Sequence, residues 1–261
     1  MKAAIYMGKE NVEIRELPKP VCGEDDVLIQ NIYSSICGTD VAVYKHGPNT
    51  GHRITVGGEF GHETVSRVAA VGKNVTGFTV GERVYPYPLL AKNDTKRAGT
   101  IGLAAAVALQ YFGVRNVMVC DLSDYRLKIA KELGFTVCNT QKENLKEKAE
   151  AYFGTAHGLS GTTMNVDIFL DAAGDESILE TFMDQGKIVS RFVSVAVNNK
   201  LRSLDLLHLT YAQKSIIGSG GYFPEDVRDV MKIMESGRWD LEKMITHEFP
   251  LDEINQAIQT A

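Results

Sequence analysis

Cysteine is scarce in this chain and never clustered. Cys22, Cys37, Cys120 and Cys138 lie far apart, with no C-x-x-C pair among them. That spacing excludes a disulfide framework and a closed four-cysteine zinc site. Cys22, Cys120 and Cys138 read as small packed or surface thiols. Long apolar runs are missing too, so no stretch is long enough to cross a bilayer. The opening Met1-Lys2-Ala3-Ala4-Ile5-Tyr6 reads as a short strand without the apolar centre of a leader, and the cytoplasm is the expected compartment. No run of Lys or Arg occurs, and the formal net charge is -5. That balance excludes nucleic acid and anionic membranes as partners. Internal repeats and low-complexity tracts are also absent.

What is present suits two domains, since 261 residues allow each its own core. Up to about residue 90 the chain reads as short strands punctuated by Gly, Pro and Asp, such as Val27-Leu28-Ile29-Gln30-Asn31-Ile32. This texture predicts a small β-barrel or an irregular all-β domain. From about residue 103 the texture changes. An Ala-rich helix over 103–113 is followed by a strand over 117–121 and an amphipathic helix over 124–133. Strands at 166–174, 192–197 and 215–219, then helices at 224–235 and 252–258, complete the series, with a strand-like stretch at 245–249. Alternating strands and helices predict a parallel sheet covered on both faces.

The chemistry concentrates in residues 37–63. Cys37-Gly38-Thr39-Asp40 opens the stretch, and Gly57-Gly58-Glu59-Phe60-Gly61-His62-Glu63 closes it. A thiolate, an imidazole and a carboxylate on short Gly-rich segments are the side chains that hold zinc with one position open. Taken singly, Cys37 reads as a core thiol, His62 as a hydrogen-bonded histidine and Glu63 as a solvated acid. Together they favour the metal site. His46 and His52 lie between the motifs and read as surface residues, while Tyr44 suits either a substrate pocket or packing.

Ala98-Gly99-Thr100-Ile101-Gly102 opens the Ala-rich helix, and Asp121 ends the next strand nineteen residues after Gly102. Such a helix start presents free N–H groups to a pyrophosphate, with Gly99 and Gly102 permitting close approach. The Asp121 carboxylate would accept the ribose hydroxyls and repel a 2′-phosphate, favouring NAD over NADP, a preference that Arg126 tempers. The motif is incomplete. Arg97 stands where the first Gly belongs, and the polar Ala91-Lys92-Asn93-Asp94-Thr95-Lys96 replaces the preceding strand.

Together these motifs resemble the zinc-containing medium-chain alcohol and polyol dehydrogenases. The resemblance implies an α/β plus β fold: a GroES-like catalytic domain over 1–91, a Rossmann NAD-binding domain over 92–222, and a segment over 223–261 returning to the catalytic domain. It implies Cys37, His62 and Glu63 as zinc ligands, with Glu63 exchanging with water, and Asp40 orienting the site. It makes Thr39 the start of a proton relay. Gly99, Ile101, Gly102, Asp121 and Arg126 would contact NAD. The substrate would be a small secondary alcohol or polyol, and the assembly a homo-oligomeric dimer or tetramer. In the family a long segment precedes the Gly-rich helix start and carries the remaining zinc ligand and the first Rossmann strand. Here Tyr85-Pro86-Tyr87-Pro88-Leu89-Leu90 runs almost directly into it, so an internal loss joined near residues 91–102 is expected, with reduced or absent turnover. A non-catalytic remnant and a zinc-free reductase are the alternative readings.

Overall fold

β1 (Lys2–Gly8) and β2 (Asn11–Glu16) form an antiparallel hairpin, in which β2 alternates polar and apolar residues while Ala4, Ile5 and Tyr6 bury both faces of the middle of β1. Ala4, Tyr6 and Val12 point into a core. β3 (Val27–Ser35) leads to α1 (Gly38–His46), after which the chain runs back along β1. Tyr6 N–H donates to the Gly58 carbonyl at 2.9 Å, and Phe60 N–H to that of Ala4 at 2.8 Å. β4 (Glu63–Val71) and β5 (Arg83–Val84) then add to β3 in a second antiparallel sheet, ordered β3-β4-β5. Among the described residues these sheets stay separate, which agrees with the irregular β domain of the two arrangements the sequence predicted. The helix α1 had no counterpart in that prediction. The structure is a computed structural model, and it describes residues 1–48, 50, 54–86, 98–196 and 201–261.

The next elements form a unit of their own. α2 (Ala98–Tyr111) starts five residues before the predicted helix, so Ala98-Gly99-Thr100-Ile101-Gly102 is helical from the outset. It is followed by β6 (Met118–Asp121), α3 (Asp124–Glu132), β7 (Thr136–Asn139) and α4 (Leu145–Phe153). A small hairpin of β8 (Thr155–Gly158) and β9 (Gly161–Met164) precedes β10 (Ile168–Asp171), α5 (Glu176–Gln185) and β11 (Arg191–Ser194). α6 (Leu206–Tyr211), β12 (Ser215–Gly218) and α7 (Pro224–Glu235) finish the unit.

Apart from the antiparallel β8-β9 hairpin, its strands are parallel, as alternation with helices predicts, but they make two sheets: β6-β7, and β10-β11-β12. Among the described residues no strand bridges β6 to β10, and none lies between β5 and α2. Among the described residues, one edge each of β6 and β10 therefore has no strand partner, and the parallel sheet of a doubly wound fold is described in two parts. The polar stretch 91–96 and Arg97, from which the lost strand was inferred, lie outside the described residues.

α8 (Ile254–Thr260) belongs with the N-terminal elements. Asn255 pairs with the backbone of Val12, donating from Nδ2 to its carbonyl at 2.8 Å and accepting its N–H at 3.1 Å. The chain thus divides into Met1–Thr95 with His247–Ala261, and Lys96–Thr246. The returning segment was expected from residue 223. It begins instead at His247, because α7 buries Ile233 against Leu103, Val107 and Trp239 in the core of the second unit. The strand-like stretch 245–249 forms no strand.

Candidate active site

The pairing of β3 with β4 joins the two motifs of the first unit. Ser35, two residues before Cys37, is in register with Glu63, the residue after His62. Gly61 has φ 99, in the left-handed region where a β-carbon is disfavoured, and this turn delivers His62. Cys37 is the N-cap of α1. Asp40 Oδ2 accepts the Cys37 N–H at 2.9 Å, the return bond of a capping box.

The other Asp40 oxygen, Oδ1, lies 3.2 Å from His62 Nδ1, an ion-pair distance with incomplete hydrogen-bond alignment. Asp40 is only 1% exposed. One buried carboxylate therefore ties the start of α1 to the histidine loop. Contact with Asp40, and then with Cys37, raises the His62 pKa to about 10 against the opposing effect of burial. On the far side of the ring, His62 Nε2 lies 3.4 Å from the hydroxyl of the buried Thr39.

The ligand atoms of Cys37, His62 and Glu63 all lie within 4.8 Å of one another. Sulfur, nitrogen and oxygen at this spacing suit zinc after a small contraction, since its bonds run to about 2.0–2.3 Å. Because the ligating histidine must be neutral, zinc binding at this cluster would displace the proton that Asp40 and Cys37 favour on His62. Among the described residues it is the group of three such ligands that converges.

In the second unit, Asp121 ends β6 with Oδ1 accepting the Ser123 N–H at 2.8 Å. Its Oδ2 is 3.7 Å from Arg126 Nη1. Ser123 caps α3, which fixes Arg126 in the first turn beside the acid. Gly99, Ile101 and Gly102 occupy the start of α2, whose first turn offers N–H groups. A β-carbon at Gly102 would meet the Ala172 β-carbon at 3.8 Å, an ordinary contact. The close packing expected of Gly102 is thus not imposed by its neighbours among the described residues.

The profile described as zinc-binding dehydrogenase matches residues 100–236, more than half the chain. The chain belongs to this family. The alcohol dehydrogenase GroES-like domain matches residues 23–124, so both matches include α2 from residue 100 and β6. L-threonine 3-dehydrogenase of Escherichia fergusonii is 23% identical, with 95% of this chain and 92% of that protein covered. The Shigella sonnei enzyme of the same name is 24% identical with the same coverage. Each alignment runs to 322 positions, more than the 261 residues here, so the relatives carry positions without a counterpart in this dehydrogenase.

Solved structures agree on the fold. The 2R,3R-butanediol dehydrogenase of Bacillus subtilis superposes with a TM-score of 0.81 at 18% identity, covering 99% of this chain and 95% of that one. For the alcohol dehydrogenase of Thermus sp. ATN1 the TM-score is 0.80 at 19% identity, with 99% and 96% covered. The dehydrogenase thus has the expected GroES-like and Rossmann-type domains, and its substrate is a small-molecule alcohol. No helix among the described residues is long and apolar enough to cross a membrane.

Other residues of this dehydrogenase settle differently. Tyr44 is 2% exposed, packs in the first core, and its hydroxyl accepts from Gln259 at 3.3 Å. His46 closes α1 on the surface, whereas His52 lies outside the described residues. Sequence reading missed Asp171. Buried at the end of β10, its Oδ1 accepts the N–H groups of Ala173 and Gly174 at 2.9 and 2.7 Å, which fixes the turn beside Gly102. An Asp heading Ala-Ala-Gly at a strand end was the available signal.

Proposed function

We propose that this dehydrogenase transfers a hydride between a small secondary alcohol or polyol and NAD, with zinc held by Cys37, His62 and Glu63. The convergence of those three ligand atoms, backed by Asp40 behind His62, carries this reading. Held there, zinc would supply Lewis acidity toward an alcohol oxygen and NAD would supply the hydride acceptor. The chain's own residues hold and orient. Asp40 keeps Nδ1 of His62 engaged and leaves Nε2 turned toward Thr39 and the ligand cluster. The Thr39 hydroxyl is the group placed to take a proton away from that cluster.

In the second unit the first turn of α2, including Gly99, Ile101 and Gly102, offers N–H groups to a pyrophosphate. Asp121 receives the ribose hydroxyls and favours NAD, and Arg126 moderates that preference. L-threonine and 2R,3R-butanediol, named for the relatives above, both carry a secondary hydroxyl beside a second heteroatom, and the same class is proposed here. We also propose a homo-oligomer, a dimer or tetramer, which light scattering on the full chain tests. The ligand assignment predicts about one zinc per chain, reduced sharply in Cys37→Ser and His62→Gln. Undiminished zinc in both variants would refute it.

A further inference from the structure

Cys120 and Cys138 are eighteen positions apart in sequence, yet they are register partners on the parallel strands β6 and β7. Residues so paired share one face of a sheet, on strands about 4.7–4.9 Å apart. That separation falls inside the roughly 4.4–6.8 Å between α-carbons that disulfides span. The two thiols lie close enough for each to shift the ionisation of the other. Cys138 is fully buried, whereas Cys120 is exposed on a strand that has a partner on one side only among the described residues. Lys148 of α4 lies near both sulfurs and favours their thiolates.

We infer that Cys120 and Cys138 form a reversible disulfide that staples β6 to β7. A low-molecular-weight disulfide is the oxidant. The exposed Cys120 thiolate attacks one of its sulfurs, the small S–S bond breaks and one thiolate leaves. Cys138 then gives up its proton and attacks Cys120 Sγ, expelling the second thiolate. The two cysteine sulfurs lose two electrons, and the small disulfide becomes two thiols that take up the two protons. Although part of Cys120 reaches solvent, crowding around its sulfur, and then the neighbouring Cys138, push its thiol up to about 12, while burial raises Cys138. Disfavoured thiolates make the bridge slow to form at neutral pH and hard to reduce once formed.

The test is exposure of the zinc-loaded full chain to oxidised glutathione at alkaline pH, followed by intact mass, peptide mapping and thermal melting. The expected product is about 2 Da lighter, contains linked peptides bearing Cys120 and Cys138, and melts on the order of 5 °C higher. Reductant reverses both changes. Cys138→Ser removes them, and Cys120→Ser, at the exposed position, does so without altering a buried site. Absence of the linked peptide, a bridge from either residue to Cys22 or Cys37, or a lasting glutathione adduct on Cys120 overturns the inference. A bridge without a rise in melting temperature overturns the stapling.

Discussion

Asp40 serves two partners at once: its Oδ2 accepts the Cys37 N–H at 2.9 Å and its Oδ1 lies 3.2 Å from His62 Nδ1. Asp40→Asn keeps an oxygen able to cap α1 and removes the charge behind the histidine. Zinc affinity is expected to fall about 10–100-fold with helix content unchanged. Competition against a chromophoric chelator measures this, and an unaltered affinity would deny Asp40 its orienting role.

Thr39→Val removes a hydroxyl while keeping the volume of a side chain that is 4% exposed. If that hydroxyl moves the substrate proton, kcat falls about 10²–10⁴-fold while the zinc content stays constant. A fall in zinc content of the same size would make Thr39 a structural support of His62 instead.

Asp121→Ala removes the acceptor for the ribose hydroxyls and the negative charge beside Arg126, 3.7 Å away. The KM for NAD should rise about tenfold or more, on the scale of one hydrogen bond to a charged group, and NADP should gain. Arg126→Ala should move NADP the opposite way. Steady-state kinetics with both cofactors decide, and equal losses for NAD and NADP would deny Asp121 a selective role.

Lys214 is 6% exposed and donates to the Phe182 and Met183 carbonyls near the end of α5, at 2.8 and 2.5 Å. Burial lowers its pKa from 10.5 to about 8, although Asp184 opposes the shift. The folded pKa lies below the unfolded one, so the unfolded chain binds more protons between about 8 and 10.5. Stability from this residue therefore rises with pH across that window. Relative to Lys214→Met, wild type should gain up to a few kcal/mol there, at about 1.4 kcal/mol per pKa unit. Urea titrations at several pH values check this, and a constant difference between the proteins would contradict it.

The metal motif was legible because residue types alone name a zinc site, and the β3–β4 pairing that unites Cys37 with Glu63 needed only short β-rich runs. The helix α1 was not, since Val41 and Val43 look like strand residues and its start depends on Asp40 folding back on Cys37. The meeting of Cys120 with Cys138 was hidden as well, because parallel register brings together residues with no local signal. For α7 the helix limits were readable, but its unit depends on Ile233 reaching Leu103 and Trp239 across sequence. The absence of a first strand was read from the polar run before Gly99, which lies outside the described residues, while among the described residues the parallel strands fall into β6-β7 and β10-β11-β12.

Zinc-dependent formation of NADH by the full chain, followed by absorbance with L-threonine and 2R,3R-butanediol as substrates, tests the central claim most directly. The expected result is NADH production, slowed relative to the longer relatives, that stops on chelation, returns with zinc and is absent in Cys37→Ser. Production that survives chelation, or none from zinc-loaded protein with either alcohol, would contradict the assignment.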